Sequence, residues 1–222
     1  MRVALTFDAE HPDRPGCAPG VAGAMVDVLE ERGVRATFFM QGRWVEAYPE
    51  TARRIVRAGH LIGNHSHYHT RMPLLSEAGL AADIAEAERV ITELGTNPKP
   101  WFRCPWGDGW SDPALLELLT RMGYRHVGWD VEAHDWEGSQ AEIEDAVVGG
   151  VLNGDGESVV ILHTWPEPTL RALPAIIDRL EAAELSGGDQ GDATGAFRGR
   201  PHRGGAGRPA GSGFVAGDRA EL

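Results

Sequence analysis

The sequence predicts an α/β fold built on a parallel sheet, and two observations carry that prediction. Short apolar runs of strand character alternate with segments of helical periodicity along residues 1–185, the pattern of successive βα units. Polar residues (Asp8, Asn64 and His65, Arg103, Asp130, His163) follow the ends of different strand-like runs. Parallel-strand folds gather their chemistry at the C-terminal rim of the sheet, and barrels draw it from many strands at once. Six strands could make an open doubly wound sheet or a small barrel, and polar residues at five strand ends favour the barrel.

The elements follow in order from local chemistry. Val3–Phe7 reads as a strand ending at Asp8. Gly23–Arg32 carries Val26 and Leu29 at helical spacing and stops at Gly33, a C-terminal signal. Ala36–Met40 is a strand, Pro49–Ala58 a helix stopped by Gly59, and His60–Gly63 a short strand. Ser76–Leu94 is a long helix with Ser76 as N-cap and Gly95 as its stop. Pro100–Cys104 is a strand. Asp112–Met122 is a helix with Asp112 as N-cap and Pro113 at its first position. Tyr124–Trp129 is a strand, Gln140–Leu152 a helix, Ser158–His163 a buried strand and Thr169–Ala183 the last helix.

Composition narrows the function. The chain has 222 residues with 21 basic and 33 acidic side chains, a formal charge of −12. That argues against sequence-independent binding to nucleic acid or anionic membrane. No apolar run approaches the ~18 residues of a membrane span. Two cysteines, Cys17 and Cys104, make no disulfide framework. The first residues enter a strand pattern with no charged region followed by an apolar one, so the expected compartment is the cytoplasm.

The last 37 residues differ from the rest. They hold 11 of the 29 glycines, almost no aliphatic side chains and no period of 2 or 3.6. Residues 186–222 are expected to be a disordered Gly/Arg/Pro tail outside a catalytic domain of residues 1–185. Lys99 is the only lysine beside 20 arginines, the mark of a GC-rich genome, and GC-rich codons read out of frame would give such a tail. On that expectation an open edge would lie between the first and last strands.

The densest chemical signal is His60–His69, with four histidines from His60 to His69 beyond the first strand end: His60, His65, His67 and His69. His65 and His69 are spaced i, i+4, which on a helical turn puts two imidazoles on one face, able to share a divalent ion. His67 would point elsewhere. Asp8 is a candidate base or metal ligand, and Arg103 can hold a carboxylate by two parallel hydrogen bonds. Trp129, Asp130, Asp135 and Trp136 frame another strand end. The bland alternatives are a solvated His-rich loop, a turn aspartate, a snorkelling arginine and a core histidine at 163. Cys104 reads as a small buried hydrophobe.

These segments, in this order, resemble the polysaccharide deacetylases of the NodB homology domain, carbohydrate esterase family 4, over about residues 3–183. Leu5–Asp8 resembles the first motif, Gly63–His69 the second, Arg103–Gly107 the third, Trp129–Trp136 the fourth and Ile161–His163 the fifth. The resemblance implies a distorted (β/α)7 barrel whose usual closing strand is missing or degraded. It implies Asp8 as catalytic base oriented by Arg103, His163 as general acid supported by Asp135, and His65 and His69 as ligands of a divalent metal such as Zn²⁺. Trp106, Trp136 and Asp130 are the implied substrate-binding residues, and an N-acetylated sugar or related small amide is the implied substrate. One departure matters: the metal-binding aspartate that normally follows the base is Ala9 here. Glu10 is the candidate replacement. Two alternatives stay open, a metal-independent (cyclic) amide hydrolase and an inactive glycan- or metal-binding domain.

Overall fold

The computed structural model describes residues 2–12 and 18–187. Seven strands, β1 (Arg2–Ala9), β2 (Thr37–Met40), β3 (Leu61–Asn64), β4 (Trp101–Phe102), β5 (Arg125–His126), β6 (Val131–Glu132) and β7 (Glu157–His163), form one sheet in the order β5-β4-β3-β2-β1-β7-β6. Every pairing is parallel. The sheet curls into a half-barrel that matches the distorted (β/α)7 barrel the resemblance implied. Among the described residues seven α-helices accompany the strands: α1 (Val21–Glu31), α2 (Gly42–Ala47), α3 (Pro49–Arg57), α4 (Glu77–Thr92), α5 (Pro113–Arg121), α6 (Gln140–Leu152) and, after β7, α7 (Glu167–Gly187).

The caps form where the sequence places them. Ser76 Oγ accepts from the Gly79 N–H at the start of α4, and Asp112 accepts from Ala114 N–H with Pro113 at the first position of α5. Ser139 and Glu142 close a reciprocal capping box on α6. Among the described residues the main core lies between the central strands and α1, α3, α6 and α7. It is built from Phe7, Phe38, Leu162, Val148, Leu173 and Ile176, among others. Each such side chain contributes roughly 1.5–3 kcal/mol on burial. A second cluster, with Phe102, Cys104, Ile84, Leu119 and Tyr124, packs α4 and α5 on the β4–β5 side.

Three expectations need correction. The seventh strand β6 and the helix α2 were not foreseen: one is two residues long, the other six, too short to show a period. The sheet is not open between its first and last strands. β1 is central, paired with β7 from Arg2↔Glu157 to Asp8↔His163 and with β2 on its other side. Among the described residues the two edges are β5 and β6. The last helix runs to Gly187 instead of ending at Ala183, and the rest of the expected tail, like Cys17, lies outside the described residues. Among the described residues no helix is long and apolar enough to cross a membrane.

Candidate active site

Strand alternation builds the site from β1. Side chains two apart share a face, so Asp8 and Glu10 turn to the C-terminal mouth of the sheet while Ala9 is buried in the main core. Glu10, two residues after Asp8, thus presents its carboxylate beside Asp8, which Ala9 cannot do. Asp8 and Glu10 are themselves almost fully buried.

The loop after β3 brings the histidines. It is not a helical turn. Ser66 and His69 take left-handed backbone angles, φ 60° and 57°, and the reversal sets the two imidazoles at 4.9 Å between ring centres. Asn64 anchors the loop, its Oδ1 accepting from Ser66 N–H and its Nδ2 donating to Ile84 O and Tyr124 Oη. Ser66 Oγ in turn accepts from His69 N–H. His65 Nδ1 donates to the carbonyl of Arg103 at 2.9 Å. A carbonyl only accepts, so this bond fixes the tautomer and leaves Nε2 free to act as a ligand. That Nε2 lies 3.2 Å from Glu10 Oε2 and 3.5 Å from Asp8 Oδ2. His69 Nε2 lies 2.5 Å from the same Glu10 oxygen.

Arg103 is fully buried. Only one of its N–H groups reaches Asp8, at 2.8 Å; the others donate to Val127 O and Gly128 O. The expected two-bond fork is thus replaced by a single bond to the carboxylate and two to the chain leading to β6. The guanidinium stacks 4.1 Å above the Phe39 ring. Gly63 makes room for that ring, since a Cβ there would stand 2.5 Å from it.

His163 ends β7 directly beside Asp8. Its Nδ1 donates to Asp135 Oδ1 at 2.7 Å, and the other Asp135 oxygen accepts from His163 N–H and Thr169 Oγ1. Its Nε2 faces Glu10 Oε1 at 3.7 Å. Trp136 stands edge-on to His163 at 5.4 Å. Trp106 stands edge-on to His69 at 4.9 Å and donates its indole N–H to His69 O. It holds φ 60° and leaves about half its surface exposed.

The electrostatics follow from these contacts. Burial opposes charge on Glu10, but hydrogen bonds from His11, His65 and His69 outweigh it and hold its pKa well below the usual carboxylate value. Burial likewise opposes charge on His65, where Asp8 and Glu10 win and raise its pKa. At His69 burial wins and the pKa falls. At His163 burial is overcome by the bond to Asp135 and by the nearby carboxylates, and the pKa is raised to about 9.

One expected residue lies apart. Asp130 is exposed, and its carboxylate accepts from Val159 N–H on β7 at 2.8 Å, so it stitches β7 to the chain entering β6 instead of joining the cluster. Conversely, sequence reasoning missed His11 and Trp165. His11 Nε2 is 3.0 Å from Glu10 Oε1, and Trp165 Nε1 donates to the same oxygen at 3.4 Å. Their only sequence signal was position, three residues after Asp8 and two after His163. Cys104 is buried, with its thiol pushed up to about 12 by burial and by Asp108, as suits a packing residue. A groove of about 280 Å³ opens beside the cluster between His11, Gln41, Arg43, Tyr68, His69 and Trp106.

The polysaccharide deacetylase family model matches residues 1–127. The chain belongs to the polysaccharide deacetylase family. A peptidoglycan-N-acetylglucosamine deacetylase of Bacillus cereus is 30% identical over 179 residues, covering 80% of this chain and 61% of that protein. The chain therefore spans somewhat less than two thirds of that relative. A chitooligosaccharide deacetylase of Azorhizobium caulinodans is 30% identical over 172 residues, 77% of each chain. Among solved structures, a family 4 carbohydrate esterase from Streptomyces lividans in complex with acetate superposes with a TM-score of 0.72 at 30% identity, covering 82% of this chain and 88% of that one. A family 4 pseudoenzyme from Bacillus anthracis, 23% identical, shares the fold with a TM-score of 0.71 over 82% of this chain and 61% of its own.

Proposed function

We propose that this chain is a metal-dependent hydrolase that removes N-acetyl groups from a carbohydrate or sugar conjugate. The observation that carries the reading is the placement of two supported proton-transfer groups around one ligand cluster. Asp8, held by Arg103, and His163, held by Asp135, flank Glu10, His65 and His69.

The donor set suits a divalent ion. The ligand atoms of Asp8, Glu10 and His65 lie within 4.8 Å of one another, as do those of Glu10, His11 and His69. Glu10 is kept ionised and His69 neutral, the forms that bind metal, while an ion would have to displace the proton that Asp8 and Glu10 favour on His65. His69 Nδ1 is buried with no hydrogen-bond partner, and the ring's other nitrogen faces Glu10, its proposed co-ligand. His65, His69 and Glu10 would hold the ion. Two imidazoles and one carboxylate form a catalytic zinc set with room for water or substrate. Such an ion polarises a carbonyl and lowers the pKa of bound water.

The protein's own groups do the rest. Asp8 accepts the proton of the attacking water, its carboxylate oriented by Arg103. The indole N–H of Trp106 is committed to His69 O, and the backbone N–H of the same residue is the donor we assign to the developing oxyanion. His163 is charged at neutral pH and gives its Nε2 proton to the departing amine. Trp106 and Trp136 wall the site with aromatic faces suited to a sugar ring.

Acetate release from N-acetylated chitooligosaccharides and peptidoglycan fragments, with and without chelator, tests this reading. Release that the chelator abolishes is expected. Release insensitive to chelator would support the metal-independent hydrolase. No release from any acetylated sugar by metal-loaded protein would support a binding domain.

A further inference from the structure

On the outer side of the catalytic loop stands a second group of metal-ligating side chains, unconnected with the chemistry above. His67, between His65 and His69 in sequence, turns away from the mouth and is buried between α2 and α4. Its side chain is only 5% exposed. Its backbone N–H and that of Tyr68 donate to the Asp83 carboxylate on α4, and its carbonyl accepts from Arg43 N–H on α2. Gly42 admits the ring: a Cβ at that position would lie 2.2 Å from Nδ1. Nδ1 is buried with no hydrogen-bond partner. Nε2 points outward to Glu46 Oε2 at 3.8 Å, beyond hydrogen-bond reach.

A buried imidazole whose Nδ1 finds no hydrogen-bond partner is unusual. Here it faces two carboxylates from different helices. One ligand atom each from Glu46 on α2, His67 on the loop and Glu86 on α4 lies within 4.8 Å of the others. We propose that Glu46, His67 and Glu86 form a second divalent-cation site, of the Zn²⁺ type with nitrogen and oxygen ligands, that clamps α2 to α4 across the loop carrying His65 and His69. A 3.8 Å gap between an imidazole and a carboxylate is too long for a direct bond and close to the separation of two ligands on one tetrahedral ion at ~2.0–2.2 Å. Glu86 is at present paired with Arg89, and Arg89 also reaches Glu93 at 2.5 Å, so releasing Glu86 to an ion leaves that arginine a partner. Water would complete the coordination, since the Glu46 side chain is half exposed.

The test counts Zn²⁺ on the full chain by equilibrium dialysis and elemental analysis. His65→Ala/His69→Ala removes the catalytic pair; the folded double variant should still bind one equivalent and show a higher thermal midpoint with Zn²⁺ than without. Adding Glu46→Gln and Glu86→Gln should remove both the equivalent and the shift. Should the histidine variant not fold, Glu46→Gln/Glu86→Gln in the otherwise unaltered chain should lower the stoichiometry by one. No Zn²⁺ on the folded histidine variant would overturn the proposal, as would stoichiometry unchanged by the two glutamine substitutions. The latter result would place the ion elsewhere. Failure of deacetylation alone would bear on the catalytic reading and leave this count untouched.

Discussion

Nδ1 of His163 lies 2.7 Å from Oδ1 of Asp135, a carboxylate already accepting bonds from the His163 backbone and from Thr169. The pair is therefore locked before substrate arrives, and the charge of Asp135 keeps the imidazole protonated up to about pH 9. A general acid must carry its proton, so the alkaline limb of the activity profile should fall near pH 9. Asp135→Asn should move that limb toward 6.5, the ordinary histidine value. Rate measurements from pH 5 to 10 on both proteins check this.

The same shift has a consequence for stability. A histidine whose folded pKa is raised stabilises the fold fully below its unfolded value near 6.5, and that contribution is lost as pH climbs through about 9. Thermal midpoints of the unaltered protein should drop over that window. In Asp135→Asn the drop from this source should shrink, since only Glu10 and Asp8 remain to favour the charged ring.

Asp8→Asn keeps the shape of the side chain and removes the base. Turnover should fall by about 10²–10⁴-fold, the usual contribution of a general base, with KM little changed. Steady-state kinetics on one acetylated substrate separate the two. Arg103→Met is expected to behave differently. It leaves the buried Asp8 charge without its partner and should cost about 3–5 kcal/mol of stability, read by denaturant unfolding.

Cys104→Ala should leave turnover within about 2-fold of the parent. The thiol packs with Phe102, Leu115 and Tyr124 and is pushed up to about 12, so it supplies almost no thiolate at neutral pH. Loss of activity in a folded Cys104→Ala protein would point to a thiol nucleophile.

Much of this site was legible because strand ends are local properties. Asp8 and His163 were read as strand-end residues from the apolar runs they close, and Glu10 was reached only through the resemblance, as the carboxylate nearest the missing aspartate. What was not legible depends on pairing and on loops. The sequence carries the number of long strands but not that β1 pairs with β7, so the open edge was expected in the wrong place. β6 and α2 are too short to show a period. His65 and His69 do converge, yet through two left-handed residues and not a helical turn. His11 and Trp165 reach Glu10 from loops whose course no spacing rule describes.

On the proposed reading Glu10 serves as the carboxylate ligand where Ala9 stands. The direct measurement is the Zn²⁺ affinity of Glu10→Ala, made in the Glu46→Gln/Glu86→Gln chain so that the catalytic site alone is read. Loss of even an outer-sphere partner weakens metal binding by about 10–100-fold, so removal of a ligand should weaken it by more than ~100-fold. Affinity equal to that of the parent would contradict the account and would hand the ligand's place to Asp8 or to water.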